Sequence, residues 1–187
     1  MRFVWIAGVC LLGFCTPTQG QTTIDRRNHA ALSHVRATTA PLQALIADTA
    51  EKSPAFRAML DRLDASTVIV YVRLATLATL TLDGRTAFLK VDTPTPGARL
   101  LVVELSCSRP ILAQAATLAH ELRHALEIAD APWVVGTATL EQYYAQIGFR
   151  LDSGGPLRFE TVAARETAAQ VRRELAGGSG ERQARGR

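Results

Sequence analysis

Two histidines stand four residues apart at His120 and His124, and Glu121 directly follows the first. On a helix that spacing is about one turn, so both imidazoles leave the same face and can close on one metal ion. Glu121 is rotated about 100° around the helix from His120. It can therefore stand beside such an ion and bond to water rather than to the metal. Zinc suits neutral imidazole nitrogen and carboxylate oxygen in a tetrahedral set, with one position open where it does chemistry. It lowers the pKa of its bound water, and a neighbouring carboxylate can take that proton and deliver it to a leaving group. The run His120-Glu121-Leu122-Arg123-His124 thus predicts Zn2+ as cofactor, His120 and His124 as ligands and Glu121 as the catalytic base.

These residues need a helix to carry them, and the periodicity supplies one from about Ile111 to Ala129, stopped by Pro132. Ile111, Ala115, Leu118, Leu122 and Ala129 form an apolar stripe opposite the histidines, while Glu127 shares the histidine face. Upstream, Pro41 opens a helix bearing Leu42, Leu45, Ile46 and Thr49 at helical spacing. Ser53-Pro54 caps a second, with Phe56, Met59, Leu60 and Leu63 as its stripe. The β-branched run Thr67 to Leu74 and the segment Arg99 to Leu105 read as strands. Asp83-Gly84 reads as a hairpin turn between Thr79–Leu82 and Arg85–Val91. A shorter helix follows at about Ala138 to Ile147, with Thr137 as cap and Gly148 closing it. The last helix is placed at Phe159 to Leu175, before a glycine-rich tail. The expected fold is α+β: a small, mainly antiparallel sheet packed with the motif helix and flanking helices. Residues 21–40 form a loosely ordered lead-in, 41–176 a single domain and 177–187 a disordered tail.

The HExxH run on a helix, preceded by strand Arg99 to Leu105, resembles the zincin superfamily of zinc metallopeptidases. The resemblance covers about residues 67 to 175, although only five positions are specific to the motif. It implies a fold with the motif helix against a small sheet, zinc ligands at His120 and His124, a general base at Glu121, and a peptide or protein substrate.

The third ligand has several candidates. Glu127 lies on the histidine face but about 10 Å along the axis from His120, so it fits better as a partner orienting His124. Asp130 falls where the metzincin branch places its third ligand, but that branch needs a glycine where Glu127 stands. Glu141 lies off the stripe of Leu140, Tyr143, Tyr144 and Ile147 and faces outward or sideways, and Glu166 shares a solvent face with Arg165, Gln170 and Arg173. Glu160 shares a helical face with Ala163, Ala164, Thr167, Val171 and Leu175, where an inward carboxylate needs a partner. The gluzincin branch likewise takes a Glu from a later helix. Glu160 is therefore the expected third ligand, its competing role being a carboxylate favoured by the helix dipole. Tyr143 and Tyr144 either pack or offer a phenol to a developing oxyanion.

The chain has 187 residues, 48% hydrophobic and 20% charged, with net charge +4, which suits one globular domain. Its basic excess lies partly in the C-terminal arginines, with no basic run interleaved with aromatics, so nucleic acid is not an expected partner. Arg2, the apolar run Phe3 to Phe14 and the small residues up to Gly20 read as a signal peptide over residues 1–20, with an uncleaved anchor as the alternative. The expected location is periplasmic or secreted, with no stable membrane span after cleavage. A lipid anchor through Cys15 is disfavoured by bulky Phe14 before it. Cleavage leaves only Cys107, which reads as a packing residue, so stability must come from a core or a metal. His29 and His34 read as solvated, and Trp133 as a wedge after the motif helix. The leading expectation is a zinc-dependent peptidase. The alternative is an exported zinc-stabilised binding or assembly protein without turnover.

Overall fold

A computed structural model describes residues 33–75, 84–88, 97–151 and 159–184. The expected signal segment, His29 and most of the expected hairpin lie outside them. Within them the fold is α+β, five helices on a small sheet.

The chain enters on strand β1 (Val35–Ala37) and turns into α1 (Ala40–Lys52), whose Pro41 sits in the first turn. Leu42, Leu45 and Thr49 are its buried side. Ser53 then caps α2 (Pro54–Asp64): its hydroxyl accepts from the Phe56 amide at 3.1 Å. Phe56, Met59 and Leu63 are the buried positions of α2. These two helices carry the chain across to β2 (Val68–Ala75), which lies parallel to β1. Strand β4 (Arg99–Ser106) continues the parallel set, and β3 (Gly84–Phe88) closes the far edge antiparallel to β4. The strand order is β1-β2-β4-β3.

The sheet is therefore mixed, not mainly antiparallel. Two helices between β1 and β2 give the crossover that parallel strands require. Arg85–Phe88 takes β4 as its partner; Thr79–Leu82, its expected hairpin partner, lies outside the described residues. Part of the expected lead-in is ordered as β1, where Val35 is buried and the His34 Nδ1 lies 3.0 Å from the Leu63 carbonyl. His34 is thus tied to α2 rather than solvated.

Paired residues share a face of the sheet. Val68, Val70 and Val72 of β2 and Leu101, Val103 and Leu105 of β4 all join the core. Helix α3 (Ile111–Asp130) packs on that face through Leu118 and Leu122, both fully buried, and its other side is covered by α5 (Val162–Ala184). Ile111, expected in the stripe, is exposed at the start of α3. The last carbonyls of α3 meet an unusual partner. Arg99, buried at the start of β4, donates to the carbonyls of Ile128 at 2.5 Å, Ala131 at 3.0 Å and Ala129 at 3.1 Å. The Ile128 and Ala131 carbonyls also accept from the Ala131 and Val134 amides at 3.2 and 2.9 Å, so the guanidinium adds a second donor at these two and is the side-chain donor at Ala129, where a helix end otherwise needs a cap. The opposite face of the sheet carries Glu104, buried between the guanidinium groups of Arg73 and Arg85.

After α3 come α4 (Thr137–Ile147), closed by Gly148 as expected, and a two-stranded ribbon of β5 (Phe149–Arg150) and β6 (Phe159–Glu160). Helix α5 starts at Val162, three residues later than expected, and runs through Gly177, Gly178 and Gly180 to Ala184. The expected tail is thus helical through residue 184. Cys107 is exposed just beyond β4 instead of packed. No helix of the described residues is long and apolar enough to cross a membrane.

Candidate metal centre

Helix α3 forms where the periodicity placed it, and it is covered on two sides, by the sheet and by α5. His120 and His124 project towards the ribbon, their ring centroids 4.9 Å apart and their planes at 80°. Glu160 comes to meet them from β6. Its Oε1 lies 3.3 Å from His120 Nε2 and 3.7 Å from His124 Nε2. All three donor atoms lie within 4.8 Å of one another. Donors around a tetrahedral zinc with bonds near 2.0–2.1 Å stand about 3.4 Å apart, so the two contacts to Glu160 fit such an ion. The donor chemistry fits as well: two imidazole nitrogens and one carboxylate oxygen.

Glu160 reaches this place by a different route from the helical face expected of it. It belongs to a strand and ends one residue before the cap of α5. Thr161 is that cap: its hydroxyl accepts from the Ala164 amide at 3.1 Å, and its own amide donates to Glu160 Oε1 at 2.8 Å. Gly148 makes the approach of β6 feasible. A Cβ there would stand 2.7 Å from the Glu160 carbonyl oxygen and 3.1 Å from that of Tyr144.

Glu127 lies within hydrogen-bond reach of His124. His124 Nδ1 donates to Glu127 Oε2 at 2.9 Å, which keeps the proton on Nδ1 and leaves Nε2 free to face Glu160. Thr161 Oγ1 donates to Glu127 Oε1 at 2.8 Å. The Tyr144 hydroxyl shares its proton between Glu127 Oε2 at 3.2 Å and the His124 carbonyl at 3.3 Å. Tyr144 thus serves the Nδ1 side of His124, away from the donor cluster, and is not placed to meet an oxyanion. Tyr143 packs edge-on against Trp133, with ring centroids 5.6 Å apart. Asp130 is exposed and bound to Arg62 at 2.9 Å, and Glu141 is exposed on α4. Neither joins the cluster.

Glu121 is 5% exposed and stands beside the donor set without belonging to it. Thr86 of β3 donates to its Oε2 at 2.8 Å. Burial pushes the Glu121 carboxyl up to about 7, against the pull of His124 and the Thr86 bond. Burial also pushes His120 down to about 4, helped by neighbouring His124, so this imidazole is neutral as a metal ligand must be. For His124, burial disfavours the cation, but the Glu127 bond and the nearby charges of Glu121, Glu127 and Glu160 together outweigh it and the pKa is raised. The Glu160 carboxyl is raised by burial. A cation among these groups would relieve that cost.

The contacts of Thr86, Gly84, Thr161, Gly148 and Arg99 around the site are not among the expectations from the sequence. A glycine inside a strand marks close backbone approach, and a threonine before a run of helix formers marks a cap, so Gly84 and Thr161 carried signals. Comparison of the chain with protein-family models, curated proteins and solved structures gives no match.

Proposed function

We propose that this protein is a zinc-dependent hydrolase of the zincin type, acting on peptide bonds outside the cytoplasm. His120, His124 and Glu160 would hold the ion. The observation that carries the reading is the convergence of their three donor atoms within 4.8 Å, with Glu121 beside the cluster and outside it. The packing of the motif helix against a small sheet supports the zincin resemblance, and the signal-like residues 1–20 support export.

When bound, zinc supplies Lewis acidity, lowering the pKa of water and polarising a carbonyl. The chain's own residues do the rest. Glu121, brought near neutrality by burial, takes a proton on a carboxylate oxygen and returns it to the leaving nitrogen. Glu127 holds the Nδ1 proton of His124 and fixes the ring. The sheet and α5 around α3 limit access of bulk water.

One observation favours a second reading, an exported zinc-stabilised binding or assembly protein without turnover. The side chains of His120, His124 and Glu160 are only 20%, 10% and 15% exposed, as in a closed structural site. Metal content and peptide hydrolysis separate the two. Wild type should carry one zinc per chain and Glu160→Ala much less, with Asp130→Ala and Glu141→Ala unchanged. Glu121→Gln should keep zinc and lose hydrolysis of a broad peptide library. Zinc-loaded wild type that cleaves nothing supports the second reading; substoichiometric zinc after metal-replete expression rejects both.

A further inference from the structure

A general base works only if its free lone pair is aimed, and a glutamate has several rotors to restrain. The hydrogen bond that restrains the Glu121 carboxylate comes not from α3 but from the sheet edge. In the register of β3 on β4, Gly84 pairs with Leu105 and Thr86 with Val103, so both face α3 with the core residues. The Thr86 hydroxyl lies 2.8 Å from Glu121 Oε2 and 3.2 Å from the Glu121 carbonyl oxygen. Gly84 lies under the other carboxylate oxygen. A Cβ there would stand 3.0 Å from Glu121 Oε1 and 2.6 Å from Thr117 Cγ2. The carboxylate is thus held at one oxygen and given room at the other.

We propose that strand β3 belongs to the site, with Thr86 and Gly84 as positioning residues for Glu121. Thr86 fixes Oε2 by its hydrogen bond, and Gly84 leaves the space in which Oε1 stays free to accept a proton. This rests on the reading of Glu121 as the base. Thr86 could otherwise be only a staple between sheet and helix, and the two roles differ in what they move. A staple changes stability, whereas a positioning group changes turnover at constant fold and constant metal content.

The test uses the zinc-loaded full chain. Thr86→Val keeps the shape and removes the donor. It should lower kcat by about ten- to a hundredfold, with KM within about twofold. Zinc stoichiometry and melting temperature should stay close to wild type. The infrared carboxylate band of Glu121, isolated by difference against Glu121→Gln, should shift. Thr86→Ser should restore both kcat and the band. Gly84→Ala combined with Thr117→Ser gives an independent arm. It removes the clash with the Thr117 methyl and leaves the one with Oε1, so stability should return while kcat stays low. That pair decides the matter if Thr86→Val does not fold. Wild-type kcat and an unshifted band in Thr86→Val would overturn the proposal, as would activity losses that follow melting temperature and resist the serine rescue. If Glu121→Gln turns over peptides as fast as wild type, the reading of Glu121 as the base fails, and the band alone still decides whether Thr86 holds the carboxylate.

Discussion

Glu127→Gln is the most informative single change, because it alters charge and almost nothing else. The carboxylate accepts at one oxygen from Thr161 and at the other from His124 and Tyr144. An amide has one acceptor oxygen. Kept towards His124, it preserves the 2.9 Å bond and turns the amino group to the Thr161 hydroxyl, which can rotate to accept it. What is lost is the 3.6 Å ion pair with the half-buried Arg123 and the ionic character of the bond to His124 Nδ1, and such bonds are about twice as strong as neutral ones. Loss of an outer partner of a ligating histidine costs about ten- to a hundredfold in metal affinity. That corresponds to about 1.4–2.7 kcal/mol. Zinc titration against a competing chelator at neutral pH measures it directly. Glu127→Ala should weaken zinc further and destabilise the metal-free fold, since Thr161 loses its acceptor and Tyr144 one of its two. A dissociation constant for Glu127→Gln within twofold of wild type would show that the Glu127 charge does not tune His124 as a ligand.

Two further outcomes concern the frame around the site. Arg99→Met should cost about 1–3 kcal/mol in urea unfolding, because it removes the guanidinium donor from the Ala129 carbonyl and a second donor from those of Ile128 and Ala131; no measurable loss would mean that water or other groups replace the guanidinium. Burial opposes ionisation of Glu104, but the bonds from Arg85 and Arg73 outweigh it and hold the carboxyl below its ordinary value of 4.5. Its stabilising contribution is therefore present above 4.5 and fades as pH falls through the lower folded value. The melting temperature of wild type should drop more steeply over that acid range than that of Glu104→Gln, and parallel curves would argue against the coupling.

The local half of the structure was readable from the residues. His120, Glu121 and His124 depend only on helical spacing, and α3 formed as its periodicity required. Ser53-Pro54 likewise announced α2 through local chemistry. The long-range half was less accessible. Parallel pairing of β2 with β4 leaves no short-range mark, and Gly84, read as part of a tight turn with Asp83, is in the structure the first residue of a strand that runs close under Glu121. The helical face expected of Glu160 does not exist, since the residue lies on a strand. Its carboxylate still meets the histidines because a residue just before an inward-facing helix can reach the neighbouring α3. The signal that would have corrected the boundary was Thr161, whose hydroxyl is the cap. Helix α5 passes through its glycines although each costs up to about 1 kcal/mol relative to alanine.

Two consecutive residues, Glu160 and Thr161, face different tasks: one supplies a donor, the other starts the longest helix and grips the acid that steadies His124. No spacer separates them. A slip of the chain by one position at that point would misplace the donor, the helix start and the imidazole together. Grafting this centre onto another scaffold would therefore require carrying the junction across whole.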